Sequence, residues 1–317
     1  TGVRYRSGMP TPVILDCDPG HDDALAILLA LARPEIELLG VTTVAGNVPL
    51  AATTRNAGAV LALAGRPDTP FAAGADRPLA RPLETATIVH GESGLEGAPL
   101  PDPVAPDRHG ALALQADILE AAERPVTLVA TGPSTNLAIL LRERPDLRDR
   151  IAAIQLMGGA IGPGNWTASA EFNIWVDPEA ARTVFESGLP VTMVGLEVTH
   201  QTVVPVARSD AWAELGTQTG RVFADLLRYF ARFHRERYDW DGSPIHDACV
   251  IAGLAVPGLI ETAPYRVDVE VESELTRGRT VVDLEGLGGR APNAEVGLGI
   301  DAERFVVMIE EALAGFP

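Results

Sequence analysis

The chain has 317 residues, with 43 acidic against 25 basic side chains and a formal net charge of −18 at pH 7. All 25 basic residues are Arg, which excludes a P-loop lysine, a Schiff-base lysine and a Ser–Lys dyad. The acidic balance argues against nucleic acid or an anionic membrane as partner, and two cysteines, Cys17 and Cys249, cannot build a disulfide framework, so a reducing, cytoplasmic setting is the expectation.

Hydrophobic content of 46% with 21% charged residues is that of a core-forming globular chain. The longest apolar run, 24–32, is too short to span a bilayer. Residues 1–8 carry no charged-then-apolar signal pattern and are read as a leader outside the fold, with one domain over 9–317. Strands are predicted at 13–17 and 37–44, with helices at 22–32, closed by Pro34, and at 50–63, ending at Gly65. Strands at 125–130, 151–157 and 190–194 follow, with helices at 134–141 and 178–187. Asp177-Pro178 reads as an N-cap with Pro at the first helical position. Strands at 265–271 and 279–283 and a final helix from Asp301 complete the chain. This alternation predicts an α/β fold, Rossmann-like, with a mostly parallel central sheet and helices on both faces. Two stretches without period, 73–108 and 234–245, are read as functional loops or mobile lids.

The densest chemistry lies in DCDPGHDDALAILLA, residues 16–30. Asp16 and Asp18 are two apart at the end of a predicted strand and so point the same way. Pro19-Gly20 turns the chain. Asp22 and Asp23 open a helix, where free N–H groups and the dipole favour negative charge. A single Asp here reads as an ordinary N-cap. Four within eight residues, at the carboxyl edge of a parallel sheet, repel one another unless a cation or protons intervene. An all-oxygen donor set suits a hard cation, Ca²⁺ or Mg²⁺, and the spacing is not that of an EF-hand loop.

Together with VTTVAGN at 41–47, this motif resembles the N-terminal signature of the inosine–uridine nucleoside hydrolases. Further stretches similar to that family are ATGPSTN at 130–136, MGGA at 157–160, GNWTASAEFNIWVDPEAA at 164–181, HDA at 246–248 and LTRGRTVVD at 275–283. The resemblance implies the single-domain nucleoside-hydrolase fold and a salvage reaction: hydrolysis of the N-glycosidic bond of a ribonucleoside to ribose and free base. It implies Ca²⁺ held by Asp18, Asp23, Asp247 and the carbonyl of Thr131, with Asp16 as a further ligand or as the carboxylate behind the ligands. Asp18 is then the general base toward a water held by the metal, a role worth roughly 10²–10⁴-fold. Asp22, Asn47, Asn165, Glu171 and Asn173 match ribose ligands, and Met157 a residue packed near the sugar. His246 matches the general acid for the leaving base. His90, in HGESGLEG at 90–97, matches a further active-site His under a glycine-flanked lid. A homodimer or homotetramer is implied as well.

Without the resemblance, Asn47 is a turn residue, Glu171-Phe172-Asn173 a solvated strand edge and His246 a structural His. Asn136 is a helix-start residue in either reading. His21 and Ser134 depart from the family's pattern and are expected to touch no assigned ligand. Trp166 and Trp240 are candidates to stack on a base. Two alternatives stay open: a hydrolase of purine nucleosides or of another riboside, such as a nicotinamide or cytokinin riboside, and a non-catalytic nucleoside-binding protein.

Overall fold

The computed structural model describes residues 9–317; the leader assigned to 1–8 lies outside the described residues. The strands are β1 (Thr11–Cys17), β2 (Ile36–Thr43), β3 (Phe71–Ala73), β4 (Val126–Ala130), β5 (Ile151–Met157), β6 (Val191–Val194), β7 (Val203–Pro205), β8 (Gly242–Pro244), β9 (Ile260–Val269), β10 (Thr280–Asp283) and β11 (Ala294–Ile300). The helices are α1 (His21–Ala32), α2 (Leu50–Leu63), α3 (Thr87–His90), α4 (Ala111–Ala121), α5 (Thr135–Glu143), α6 (Phe172–Val176), α7 (Pro178–Phe185), α8 (Leu196–Thr199), α9 (Val206–Ala211), α10 (Gln218–Tyr238), α11 (Ala248–Ala255) and α12 (Ala302–Gly315).

Nine strands form one sheet in the order β3-β2-β1-β4-β5-β6-β11-β9-β10, and β7 and β8 make a separate antiparallel pair. The strands from β3 to β11 run parallel; β9 is antiparallel to β11, and β10 to β9. The order reverses at β1. The chain steps from β1 to β2 and β3 on one side, then returns to β4 on the other. The carboxyl ends of β1 and β4 part there, and that is where open α/β sheets bind ligands.

Both faces of the sheet are covered, as the continuous apolar strands require. Val13, Leu15 and Cys17 of β1 enter one core with Leu25 of α1, Ile251 of α11 and Phe305 of α12. Ile14 points the other way, into a second core with Leu119 of α4, Leu140 of α5 and Val184 of α7. Each such side chain contributes roughly 1.5–3 kcal/mol by leaving water. The same alternation puts Asp16 on the α4–α5 face, beside polar side chains from those helices.

Two predicted details change. The stretch 234–245, expected to be irregular, is helical through Tyr238 and contains β8. Val222, Phe223, Leu226, Leu227, Phe230 and His234 give α10 a buried stripe at helical spacing, which the intervening Arg residues obscure in the sequence. Strand β11 was not expected, because Gly297 and Gly299 interrupt its apolar pattern. Among the described residues, no helix is long and apolar enough to cross a membrane.

Candidate active site

The floor of the site forms where β1 hands over to α1. Gly20 is the N-cap of α1 and has no side chain to offer, so Asp23 reaches back and accepts from the Gly20 N–H at 3.1 Å and the Asp18 N–H at 3.3 Å. Thr131, just past β4, donates its hydroxyl to Asp23 Oδ1 at 2.8 Å. Asn47, in the turn after β2, donates its backbone N–H to Asp18 Oδ2 at 2.6 Å and its amide to the Asp18 carbonyl and to Asp23 Oδ2. The floor is close-packed around Asp18. A Cβ on Gly46 would fall 2.0 Å from Asp18 Oδ2, and one on Gly132 2.5 Å from Oδ1. Those two glycines are the space the carboxylate occupies.

From across the fold, Asp247 at the head of α11 joins this floor, and the His246 N–H donates to Asp22 Oδ2 at 3.3 Å. Asp22, Asp23 and Asp247 can each bring one oxygen within 4.8 Å of the others. Sequence reasoning placed Asp22 on the ribose; its carboxylate also stands in this acidic trio. Asp18 lies outside the trio, and its Oδ1 has no hydrogen-bond partner. Asp16 sits behind, held by the Thr42 hydroxyl and by Asn136 at 2.7 Å, with Oδ2 unpartnered. Asn136 is thus the structural residue expected of it, and it positions Asp16.

All five carboxylates are buried, and none forms an ion pair with Arg among the described residues. Burial pushes Asp16 and Asp22 up to about 7 and raises Asp23; it raises Asp18 and Asp247 well above the usual carboxylate range, with their mutual repulsion adding to the effect. A buried anion without a partner costs several kcal/mol. Five together, two of them (Asp16 and Asp18) with an orphaned oxygen and all offering only oxygen, fit a hard divalent cation. Thr131 also lines the cavity above the floor, and its carbonyl is accessible to one more partner. It accepts from Asn173 Nδ2 at 2.8 Å and keeps a second lone pair.

Above the floor is a cavity lined by Asp22, Asn47, His90, Met157, Asn165, Glu171, Asn173, His246 and Asp247. Apart from Asp247, expected on the metal, these are the residues expected at the ribose and base, drawn together from separate stretches of chain. Glu171-Phe172-Asn173 is not a solvated edge: all three are buried, and Glu171 is the N-cap of α6. Its carboxylate accepts from the N–H groups of Gly159, Asn173 and Ile174, and burial still raises it to about 7. Asn165 accepts from the Phe172 N–H at 3.0 Å. His246 Nδ1 lies 2.7 Å from the Thr199 hydroxyl, and its surroundings hold its pKa well below the usual value, through burial first and then His200.

The roof was largely missed. Phe230, Phe233, His234 and Tyr238 of α10 line the cavity with His200 and Trp240. Tyr238 and Trp240 stack with centroids 4.7 Å apart, and His200 meets Trp240 edge-on at 5.2 Å. Their spacing of three, four and eight along one helix was the available signal. Trp166 and Trp240, the two expected stacking candidates, both line the cavity, and Trp166 packs edge-on against Phe172. The expectation for His21 is corrected. Its Nδ1 lies 3.1 Å from Nδ1 of His90, because the first residue of α1 faces the end of α3. Burial lowers His21 to about 4 and His90 well below the usual value.

An α/β sheet whose switch point carries buried carboxylates beneath an amide- and aromatic-lined cavity defines a glycosidase of the nucleoside hydrolase class. The sequence model of the family described as "Inosine-uridine preferring nucleoside hydrolase" matches residues 13–307, and the chain belongs to that family. It is 48% identical over 308 residues to the pyrimidine-specific ribonucleoside hydrolase RihA of Klebsiella pneumoniae (strain 342), covering 96% of this chain and 99% of that one. It is 47% identical over 307 residues to RihA of Escherichia coli O1:K1 / APEC, with the same coverage. Among solved structures, the purine-preferring ribonucleoside hydrolase from Gardnerella vaginalis superposes with a TM-score of 0.90 at 34% identity, covering 96% of this chain and 98% of that one. The plant nucleoside hydrolase PpNRh1 gives 0.89 at 32%, covering 96% and 99%.

Proposed function

We propose that the protein hydrolyses ribonucleosides to ribose and free base with Ca²⁺ bound, taking uridine and cytidine ahead of inosine. The observation that carries this reading is the set of five buried carboxylates that opens, through Asp22 and Asp247, into the lined cavity. Asp18, Asp22, Asp23 and Asp247, with the Thr131 carbonyl and with Asp16 behind them, are the residues to hold the ion. When bound, Ca²⁺ would offset their charge, take the secondary hydroxyls of ribose and lower the pKa of water.

Asp18 is the general base. Asn47 fixes its Oδ2 while Oδ1 has no protein partner, so one oxygen is left to take a proton from the attacking water. Asn47, Asn165, Asn173 and the lone pair left on Glu171 hold the ribose, and Met157 packs beneath it. A site built around these hydroxyls rejects deoxyribose by up to ~10⁴–10⁵-fold. His246 serves the leaving base. As a neutral ring that accepts the Thr199 hydroxyl at Nδ1, it carries its proton on Nε2 and donates it toward the base nitrogen. The pyrimidine preference is supported by relatives of that specificity at 47–48% identity, against 34% for the purine-preferring enzyme. The ringed roof favours purines as a second reading. A cytoplasmic setting accords with the two free buried thiols, and a homodimer or homotetramer belongs to the same proposal.

One incubation decides the main point. Uridine, cytidine, inosine and adenosine are each offered with and without EDTA, and reducing sugar is measured. Release from uridine that EDTA abolishes and Ca²⁺ restores supports the reading. No ribose from any nucleoside leaves a binding protein, and a higher kcat/KM for inosine makes the purine reading the right one.

A further inference from the structure

No residue of the LTRGRTVVD stretch at 275–283 lines the cavity, and the mechanism above does not use it. Its residues grip the elements that do line the cavity. Thr280, on β10, accepts the Ala160 N–H at 2.9 Å and donates its hydroxyl to the Ala160 carbonyl at 2.7 Å. That fixes the turn whose Gly159 N–H binds Glu171. Gly278 has φ +76°, and a Cβ on it would lie 2.9 Å from Trp175 Cα, so the loop lays its backbone against α6. This close approach seats Arg277 over the Trp175 ring, with the guanidinium carbon 3.9 Å from the centroid.

Trp175 in turn donates its indole N–H to Glu84 Oε2 at 3.0 Å, and the Arg277 guanidinium comes within 3.9 Å of Glu84 Oε1. Glu84 belongs to a strap, 74–86, that runs without helix or strand from β3 to α3. Beyond Glu84 the chain becomes cavity wall, through Ala86 and then Val89 and His90 of α3. The strap is tied early, where the Leu79 N–H donates to Asp177 at 2.9 Å and Arg81 to Glu179 and the Val271 carbonyl, and again at its end, where the Ala86 N–H meets the Asn47 carbonyl. Between these ties, Leu83 packs on a small core of Ala86, Phe172 and Val176, separate from the two cores that flank the sheet. So small a core leaves a large share of the join to Glu84 and its partners. The ion pair alone would count for little, since Glu84 is half exposed. The ring contact counts for more: Arg277 Nε is buried without a hydrogen-bond partner, so the guanidinium rests on the ring rather than on an acceptor.

We propose that Arg277 is a positioning residue: stacked on Trp175 beside Glu84, it clips the strap to α6 and so holds the His90 wall of the cavity in place relative to Glu171 and Asn173. This rests on the nucleoside reading and adds to it that the fit around the substrate is set from outside the cavity.

The test joins hydrogen exchange to kinetics. The indole N–H signal of Trp175 is assigned by its loss in Trp175→Phe, and its exchange with deuterium is followed in the intact chain. Arg277→Met keeps the stem over the ring and removes the charge. It should speed that exchange and raise KM for uridine, each about two- to fivefold, with kcat little changed. Arg277→Lys should recover part of both losses, because an ammonium stays near the ring without the planar stack. Glu84→Ala removes the indole's acceptor at a half-exposed site and should move both readouts the same way. Wild-type behaviour of Arg277→Met in either readout overturns the proposal, and an effect on kcat alone would place Arg277 in the chemistry instead. Should Arg277→Met fail to fold, Glu84→Ala decides on the same two readouts. If no ribose is released from any nucleoside, the nucleoside reading fails, and the exchange rates still tell whether the clip exists.

Discussion

The floor and the roof of the cavity are built by different physics. The floor is made of chain turns at the carboxyl ends of β1, β2 and β4, and its carboxylates are held one hydrogen bond at a time by Asn47, Thr131 and Asn136. The roof is one face of α10 and the chain just beyond it, where rings touch rings: Phe230 meets His234 at 4.6 Å, and Tyr238 meets Trp240 at 4.7 Å. The floor stores charge that only a cation or protons relieve. The roof stores almost none, since the histidines there are held neutral by burial, His234 at about 4. Changes in the floor should therefore act on rate, and changes in the roof on which base is accepted and how tightly.

The largest effect is expected at Asp18. Asp18→Asn keeps the shape and the Asn47 contact but removes the base, so turnover of uridine should fall by at least roughly 10²–10⁴-fold. The circular dichroism spectrum and the cooperative melt should remain. A variant that keeps wild-type kcat would show that the proton goes elsewhere. His246→Ala comes next, at the join of floor and roof. It should slow uridine hydrolysis about 10²-fold while leaving p-nitrophenyl riboside, whose leaving group needs no proton, within a few-fold. Equal losses on the two substrates would remove the leaving-group role.

The roof itself gives a smaller and differently shaped effect. Trp240→Ala should raise KM with kcat little changed, because stacking holds ground state and transition state alike. Base–aromatic stacking is worth about 1–3 kcal/mol, so the rise should be roughly five- to 150-fold, and steady-state kinetics on uridine and inosine show it. A fall in kcat at unchanged KM would place Trp240 in the chemistry instead.

The two regions also differ in how legibly the sequence announces them. Asp16, Asp18, Asp22 and Asp23 lie in one short stretch, and strand alternation plus a Pro-Gly turn are enough to bring them to one edge. Asp247, more than two hundred residues away, needed the family resemblance, because nothing local says that α11 ends against α1. Glu171 could not be read as an N-cap from its neighbours: its burial depends on Gly159 and on the loop that covers it. The roof was hidden for another reason. Arg232, Arg235 and Arg237 alternate with the rings along α10, so the end of that helix looks polar until the helical period is applied from residue 218 onward. His21 escaped because its partner lies 69 residues away, and pairing between two buried rings leaves no pattern in a chain.

The smallest effect separates floor from roof by pH. Burial and mutual repulsion raise Asp16 and Asp22 to about 7, above their unfolded value of 3.8. A group whose pKa is higher folded than unfolded binds more protons in the folded state, and its contribution to stability is present below the unfolded pKa and lost as pH rises through the folded one. The chelated protein should therefore lose melting temperature steadily from about pH 4 to about pH 7, the window set by those values. The roof histidines His200 and His234 have lowered pKa values and act in the opposite sense, since they resist protonation in the fold: the contribution of His234 is lost as pH falls from about 6.5 toward 4. Ca²⁺ should restore the melting temperature most at the alkaline end, where the floor is charged, and least near pH 5, where protons already do the ion's task. Calorimetry with EDTA and with Ca²⁺ at several pH values checks both slopes. A Ca²⁺ stabilisation independent of pH would mean that the ion does not bind at these carboxylates.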